Sequence, residues 1–465
     1  MTTKIHELSA AQLSDAYRSR DLSPVEVTRA MLERIDQVDP KINAFCHVDG
    51  DGALRSAQES ESRWASGNPR DPLDGVPTAV KDGLALKGVP IYRGSLANAV
   101  KPGDAADTDF PAVARLKDAG LVILGKTTMC DYGILAAGYS SKFGPTRNPH
   151  DLSRSSSGSS SGSAAAVAAG LGPVSIGTDI VGSIRHPASF CGLFGLKPTY
   201  GRVPWAPLNS PSVVAGPMAR DVGDGALFMN VLARPDRRDV AALPYDEFDY
   251  TTTLSGEIGK IRVGYMPEMG FGPKPDPEVS AKIRDAVEVF SGLGAEIVPL
   301  DPPFTPDDLE TGRRFYQVRS LTELLIHDDE TQKSAEVIYN WSLPARDYSA
   351  ADHYADGLGL QVMREKFIAA MGDLDFVLMP SVPILPYAAE NPGLDDGDIF
   401  APWCNTFVMN LTHQPAASVS CGFSESGLPV GLQIIGRRYD DAGVFRAAAA
   451  YEKAACMPVR VPDLT

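Results

Sequence analysis

Two serine-bearing segments and one lysine hold the side chains of this sequence best suited to chemistry. The first segment, Ser153-Arg154-Ser155-Ser156-Ser157-Gly158-Ser159-Ser160-Ser161-Gly162-Ser163, is serine at eight of eleven positions. Composition alone fits a flexible linker. However, the run flows straight into a strong helix former at 164–170 and sits inside an α/β pattern. A Gly/Ser loop entering a helix presents backbone N–H groups and small hydroxyls to a ligand. No lysine follows in the spacing of a phosphate loop, which argues against a nucleotide cradle. The second segment, Gly177-Thr178-Asp179-Ile180-Val181-Gly182-Ser183-Ile184-Arg185-His186-Pro187, places Ser183 on a tight turn after a strand. An exposed nucleophile in an α/β protein is commonly held that way, with turn amides as its oxyanion hole.

A serine nucleophile needs a base. His186 is only three residues from Ser183, whereas the partners of a Ser-His-Asp triad come from distant segments, and the string is not G-x-S-x-G. His186 is therefore read as structural. Lys81 is the other base available. It follows the apolar stretch of Leu73-Asp74-Gly75-Val76-Pro77-Thr78-Ala79-Val80-Lys81-Asp82. A lysine at a strand end facing a dry pocket loses its charge readily, and the neutral amine accepts a proton. Pairing with Asp82 or with solvent is the competing reading, and spacing alone favours it.

The elements that must hold these residues alternate between helix and buried strand. Capping boxes at Ser9/Gln12 and Ser23/Glu26, the second with Pro24 at the first helical position, open helices in a helical stretch covering about 1–65. Between about 70 and 240, helix, short apolar run and glycine turn recur: helix 110–119 then strand 121–124, helix 164–170 then strand 173–177. Helix 277–291 precedes strand 295–299. Residues 302–372 are richer in charge and helix formers and read as a helical insertion. Strands 376–379 and 429–435 resume the sheet, and a helix at 441–455 closes it. Early and late segments share one texture, so one large α/β domain over 1–465 is expected.

Composition narrows the function. At 465 residues, 43% hydrophobic and 22% charged, the chain has ample material for a core. With 43 basic against 59 acidic residues the net charge is −16, which disfavours nucleic acid and anionic membranes as partners. The start of the chain has no signal-peptide pattern and no apolar run is long enough to span a bilayer. Six cysteines, Cys46, Cys130, Cys191, Cys404, Cys421 and Cys456, are scattered without a C-x-x-C pair and read as free thiols in a reducing cytoplasm. No His/Cys cluster has metal-ligand spacing, so no metal site is expected.

These segments together resemble the amidase signature family of serine hydrolases. The resemblance rests on Ser157-Gly158-Ser159-Ser160-Ser161-Gly162-Ser163, on 177–185, and on the continuation through 187–203. It extends upstream to Asp74-Gly75-Val76-Pro77 with Lys81-Asp82, Gly125-Lys126-Thr127 and 143–149. Downstream it covers Gln414-Pro415-Ala416 and 427–433, so that it spans about residues 5–455. The resemblance implies a central mixed β-sheet covered by helices on both faces and a Ser–cisSer–Lys triad. Carried onto this sequence, Ser183 is the nucleophile, Ser159 the bridging serine after a cis Gly158–Ser159 bond, and Lys81 the base. Ser160 is the neighbour most easily confused with Ser159. The backbone near Ile180, Val181, Gly182 and Ser183 would form the oxyanion hole, with no cofactor. Val181 replaces a usual glycine, so that turn has either ordinary φ or strain. Ser157 and Ser161 replace further glycines.

The implied activity is hydrolysis of a carboxamide through an acyl-enzyme by a free-standing amidase, in a family where homodimers are common. The alternative is the amidase-like subunit of a tRNA-dependent amidotransferase. That subunit type carries an S-S-L-D-Q-type run before Gly-Pro, where this chain has Ser210-Pro211-Ser212-Val213-Val214-Ala215-Gly216-Pro217. The substrate site is expected to use Ser157, Gly158, Met129, Thr178 and Arg185, with the segments 129–139 and 403–410 and the helical insertion around it. Met129, Tyr132, Tyr316, Trp341, Trp403 and Phe407 would make an apolar wall, although each singly reads as core. Arg185 and Arg319 could hold a substrate carboxylate.

Overall fold

The computed structural model describes residues 4–101, 104–207, 212–394, 397–457 and 460–465. Thirteen strands follow in chain order: β1 Phe45–Val48, β2 Pro77–Lys81, β3 Val122–Thr127, β4 Arg147–Asn148, β5 Asp151–Ser155, β6 Val174–Asp179, β7 Phe194–Lys197, β8 Val214–Ala219, β9 Arg262–Tyr265, β10 Glu296–Pro299, β11 Phe376–Pro380, β12 Ala416–Phe423 and β13 Pro429–Gly436. Eleven of them form one mixed sheet in the order β1-β3-β2-β6-β8-β7-β12-β13-β11-β9-β10, and β4 pairs with β5 alone. The middle strands β2, β11 and β13 are buried along their whole length, as strands covered on both faces must be.

Two parallel groups flank an antiparallel centre. β3, β2 and β6 run parallel, then β8, β7, β12, β13 and β11 alternate in direction, and β11, β9 and β10 run parallel again. β2 and β6 are neighbours in register, Val80 opposite Ile176, so their carboxyl ends open at the same edge of the sheet. In open α/β sheets that edge is where ligand crevices form.

The helical readings are reproduced closely. Ser9 and Ser23 make their capping boxes at the helices Ala10–Ser19 and Pro24–Ile42, and the closing helix is Asp441–Ala455. The insertion is four helices, Pro306–Leu324, Asp329–Ser334, Glu336–Ser342 and Ala350–Met371. Strand β1 corrects the all-helical reading of the first 65 residues. Only four residues long, it lies at the sheet edge, where just one side pairs, and it carries no alternating pattern. Residues 1–3, and Ser210 and Pro211 of the segment weighed above, lie outside the described residues.

The Ser/Gly run is no linker. Residues 155–163 are all buried, and the helix Ser161–Ala168 is buried on every side. Its small residues allow this depth: a Cβ at Gly162 would lie 2.1 Å from the Ala44 carbonyl oxygen and 2.5 Å from the Thr128 nitrogen. A helix with no polar face cannot sit at a surface, so its composition reports its position. Among the described residues no helix is long and apolar enough to cross a membrane.

Candidate active site

Lys81 ends β2 with its side chain 1% exposed. Its Nζ lies 2.7 Å from Ser159 Oγ, 2.9 Å from Ser160 Oγ and 2.8 Å from Thr178 Oγ1. Burial is the main reason its pKa falls to about 7, against a weaker pull upward from Cys130, Asp179 and Asp82. Three hydroxyl neighbours suit either protonation state. An ammonium donates to all three, and a neutral amine donates to two and accepts from the third. Proton transfer at Nζ therefore needs only hydroxyl rotation. The Gly158–Ser159 peptide is cis, as the family resemblance implied. Ser160, the neighbour easily mistaken for Ser159, is tied into the wall: its Oγ accepts from the Thr178 amide and donates to the Thr178 carbonyl.

Ser183 follows β6 on the turn at 180–184. Its Oγ is buried and has no hydrogen-bond partner among the described residues, while its carbonyl accepts from the Ser160 amide at 3.2 Å, which fastens the two serine segments together. The turn is shaped by Asp179. One carboxylate oxygen accepts from the Gly182 amide at 2.8 Å and the other from the Ile184 amide at 3.2 Å. Gly182 is thereby removed from the expected oxyanion donors, because its N–H is already engaged. The amides of Ile180, Val181 and Ser183 donate to no described group and remain available. Val181 takes no left-handed φ. The positive φ of the turn, 138°, belongs to Gly182, where a Cβ would meet Thr406 Oγ1 at 2.1 Å.

Arg185 is not on the substrate wall, contrary to expectation. It is fully buried behind the turn and all five N–H donors are used. Nε and one Nη2 hydrogen go to Asp179, the other Nη2 hydrogen to Asn410 Oδ1, and the Nη1 hydrogens to Gln433 Oε1 and the Thr406 carbonyl. Burial pushes the Asp179 carboxyl up, but the Arg185 guanidinium more than offsets this, and the pKa is held at about 2. Thr406 completes the clamp by donating to the Val181 carbonyl. The sequence reading gave Asp179 and Gln433 no role of their own, and expected Thr406 and Asn410, in the segment 403–410, around the substrate site, whereas both hold the turn from behind. The available signal was an aspartate and an arginine six residues apart in an otherwise uncharged run. His186 is structural: burial drives its pKa down to about 3, and its ring packs on Trp403 at 4.6 Å.

Ser159, Thr178, Ile180 and Ser183 line a cavity of about 210 Å³. Met129, Tyr132, Gly133, Trp205 and Val213 add to its wall, and Arg93, Arg319 and Glu323 complete it. Met129 and Thr178 are thus placed as expected. Gly158 and Ser157 lie beneath the wall, with the Ser157 hydroxyl donating to the Ala136 carbonyl and its backbone at φ 64°. Tyr132 reaches the cavity, whereas Tyr316 borders a neighbouring one. Trp403 and Phe407 are core, and Trp341 packs against Phe400. Trp205, Arg93 and Glu323 were missed, and nothing in their local spacing marks them. Among the described residues no group of three His, Cys, Asp or Glu side chains is placed to hold a metal.

Comparison with known proteins agrees with this geometry. A family model described as Amidase matches residues 26–445. A glutamyl-tRNA(Gln) amidotransferase subunit from Myxococcus xanthus (strain DK1622) is 36% identical, with 97% of this chain and 98% of that protein aligned. Among solved structures, a bacterial aryl acylamidase of the amidase signature family superposes with a TM-score of 0.88 at 31% identity over 97% of each chain. The 6-aminohexanoate cyclic dimer hydrolase superposes at 0.86, with 27% identity over 100% of each chain.

Proposed function

The chain belongs to the amidase family and is an amide-hydrolysing enzyme, and from that premise we propose that it cleaves a carboxamide C–N bond through an acyl-enzyme on Ser183. The observation that carries this reading is the buried Lys81 amine, 2.7 Å from Ser159 Oγ, in one cavity wall with the unpartnered hydroxyl of Ser183. Neutral Lys81 accepts the Ser159 proton as Ser159 accepts that of Ser183, once the free Ser183 hydroxyl turns about χ1 toward it. Ser183 Oγ attacks the carbonyl carbon. The oxyanion is received by the amides of Ile180, Val181 and Ser183, donors already fixed before the charge develops. The relay then runs backward to protonate the departing nitrogen, and water releases the acid by the same path.

Two versions of this activity remain. In one the chain is a free-standing amidase of the cytoplasm acting on a small amide. In the other it is the glutamine-hydrolysing subunit of a tRNA-dependent amidotransferase. The curated relatives favour the second: the Myxococcus protein of that description aligns over nearly the whole length at 36% identity. The solved neighbours, at 31% and 27%, include an aryl acylamidase and a cyclic-dimer hydrolase and support the first.

The test is release of ammonia or amine by the purified chain from aliphatic, aromatic and dicarboxylic amides and from glutamine. Ser183→Ala and Lys81→Ala are assayed alongside. Turnover by the chain alone, reduced by roughly 10³-fold or more in both variants, is expected for loss of a catalytic group. Hydrolysis of glutamine only after partner subunits are added selects the amidotransferase version. Full activity in Ser183→Ala overturns both.

A further inference from the structure

The wall of the cavity carries more positive charge than it neutralises. Arg93 and Glu323 form a complete two-point pair, Nη1 and Nη2 to the two carboxylate oxygens at 2.7 and 2.9 Å. Arg93 also lies over the Tyr132 ring at 4.6 Å, and the Tyr132 hydroxyl meets His327 Nε2 at 2.9 Å. These side chains hold one another. Arg319 is the exception. It projects from the helix Pro306–Leu324, its guanidinium makes no hydrogen bond among the described residues, and its one ionic contact there is Glu323 at 3.7 Å. The carboxylate it leans on is already engaged by Arg93.

Arg319 keeps a quarter of its side-chain surface open, and what it opens onto is the cavity. It also borders a second cavity of about 320 Å³, lined by Phe315, Tyr316, Leu360 and Leu411 among others, which brings no carboxylate to it. Burial lowers its pKa, and Glu323 only partly offsets this. Its nitrogens are not among the buried atoms, so the donors left unused by the chain are open to whatever enters. With Lys81 able to lose its charge near pH 7, Arg93, Arg319 and Glu323 leave the cavity wall with one surplus positive charge.

We propose that Arg319 is the specificity-determining residue of this site and that the substrate is a small monoamide of a dicarboxylic acid, its free carboxylate forked by the Arg319 guanidinium while its amide carbon faces Ser183. The inference rests on the amidase reading above. A guanidinium presents two parallel N–H donors that match a carboxylate's two oxygens. The chamber, at about 210 Å³, is small, so amide and carboxylate belong to one short molecule. Arg93 already neutralises Glu323, so the wall keeps its surplus positive charge and disfavours an α-ammonium group. The acid without that group is therefore preferred to the amino acid.

The experiment measures ammonia release by the full chain from succinamate and glutaramate against the neutral amides butanamide and pentanamide, and from glutamine. Wild type, Arg319→Gln and Arg319→Lys are compared. The expected wild-type preference for acid over neutral amide in kcat/KM is roughly 10²-fold, the scale of removing one partner from a desolvated charge pair. Arg319→Gln removes most of that preference, chiefly through KM for the acid amides, and Arg319→Lys restores part of it by returning a charge. Glutaramate outruns glutamine. A wild-type ratio near one, or the same ratio in Arg319→Gln, overturns the proposal while amide hydrolysis itself stands. Turnover of neither class by the chain alone overturns this inference, and where added partner subunits do not bring out glutamine hydrolysis either, the amidase reading falls with it. Should Arg319→Gln not fold, competitive inhibition of neutral-amide hydrolysis by succinate, absent with uncharged butanediol, supports the proposal. Equal inhibition by the two overturns it.

Discussion

Two arginines, Arg185 buried behind the nucleophile turn and Arg319 half-buried in the cavity wall, are used in opposite ways. Arg185 spends all five donors on Asp179, Asn410, Gln433 and the Thr406 carbonyl, and has no surface left exposed. Arg319 makes no hydrogen bond among the described residues and stays a quarter open to the cavity. Both arginines are charged, so residue type cannot separate their roles. Donor saturation can. A guanidinium whose donors are all met from within the chain belongs to the architecture, and one with unmet donors on a cavity wall is prepared for something that arrives.

The most damaging test of this contrast is Arg185→Met. It leaves the Asp179 carboxylate, with its pKa of about 2, buried without its countercharge. Breaking a buried pair in this way costs about 3–5 kcal/mol. Urea unfolding should show that loss, and activity should fall with it because the Gly182 and Ile184 amides lose a fixed acceptor. Arg185→Lys should recover little, since a point charge cannot satisfy four separate acceptor residues. A loss below about 1 kcal/mol would make Arg185 as dispensable to the fold as Arg319 and end the distinction.

The same contrast explains how much could be read in advance. The stretch 177–185 is contiguous, so Ser183 stood out in its local string, whereas Ser159 and Lys81 took their expected roles only through the resemblance to the amidase signature family. The alternation of helix and strand around them was legible, because a helix buried on every side needs small residues and a buried strand needs apolar ones. The far wall was not legible in the same way. Arg93, Trp205, Arg319 and Glu323 come from three separate segments, and each looks like ordinary surface or core in its own neighbourhood. Arg185 was misplaced for a related reason. Its partners come from three stretches, and only in three dimensions does it become clear that no donor is left over. Strand β1 escaped because an edge strand of four residues needs no alternation to pair on one side.

A smaller effect tests the Ser183 end of the cavity. Within the pH range of ordinary assays Lys81 titrates in the cavity wall, and Lys197, which burial also lowers to about 7, titrates behind it near Asp179 and Arg185. Asp179 is held at about 2, His186 at about 3 and Cys130 at about 12, so none of these changes charge between pH 5 and 9. Burial sets Lys81 at about 7, and the base must be neutral to act. The rate constant kcat/KM on a neutral amide should therefore rise about tenfold per pH unit below 7 and level off above it. Linkage has the same sign for stability. The folded pKa lies below the unfolded one, the unfolded chain binds the extra proton, and the fold gains stability as pH rises from 7 toward 10.5. In Lys81→Met that gain should shrink, the remainder coming from Lys197, which burial also lowers to about 7. A flat rate profile from pH 5 to 9 would remove Lys81 from the role of base.

The smallest expected effect is the most discriminating for the comparison. Arg319→Met exchanges a partly desolvated guanidinium for an apolar side chain of similar length. What it gives up is the 3.7 Å approach to Glu323, whose carboxylate Arg93 continues to hold. Long ion pairs of this kind contribute about 0–1 kcal/mol, and removing the desolvation penalty works in the opposite direction. Urea unfolding should place the variant within about 1 kcal/mol of wild type, on either side. Placed beside a loss several times larger in Arg185→Met, that result would show that two arginines of equal charge differ because one has been satisfied by the fold and the other has not. A loss in Arg319→Met as large as that in Arg185→Met would mean that Arg319 carries structure too, and its unmet donors would then no longer point to a ligand.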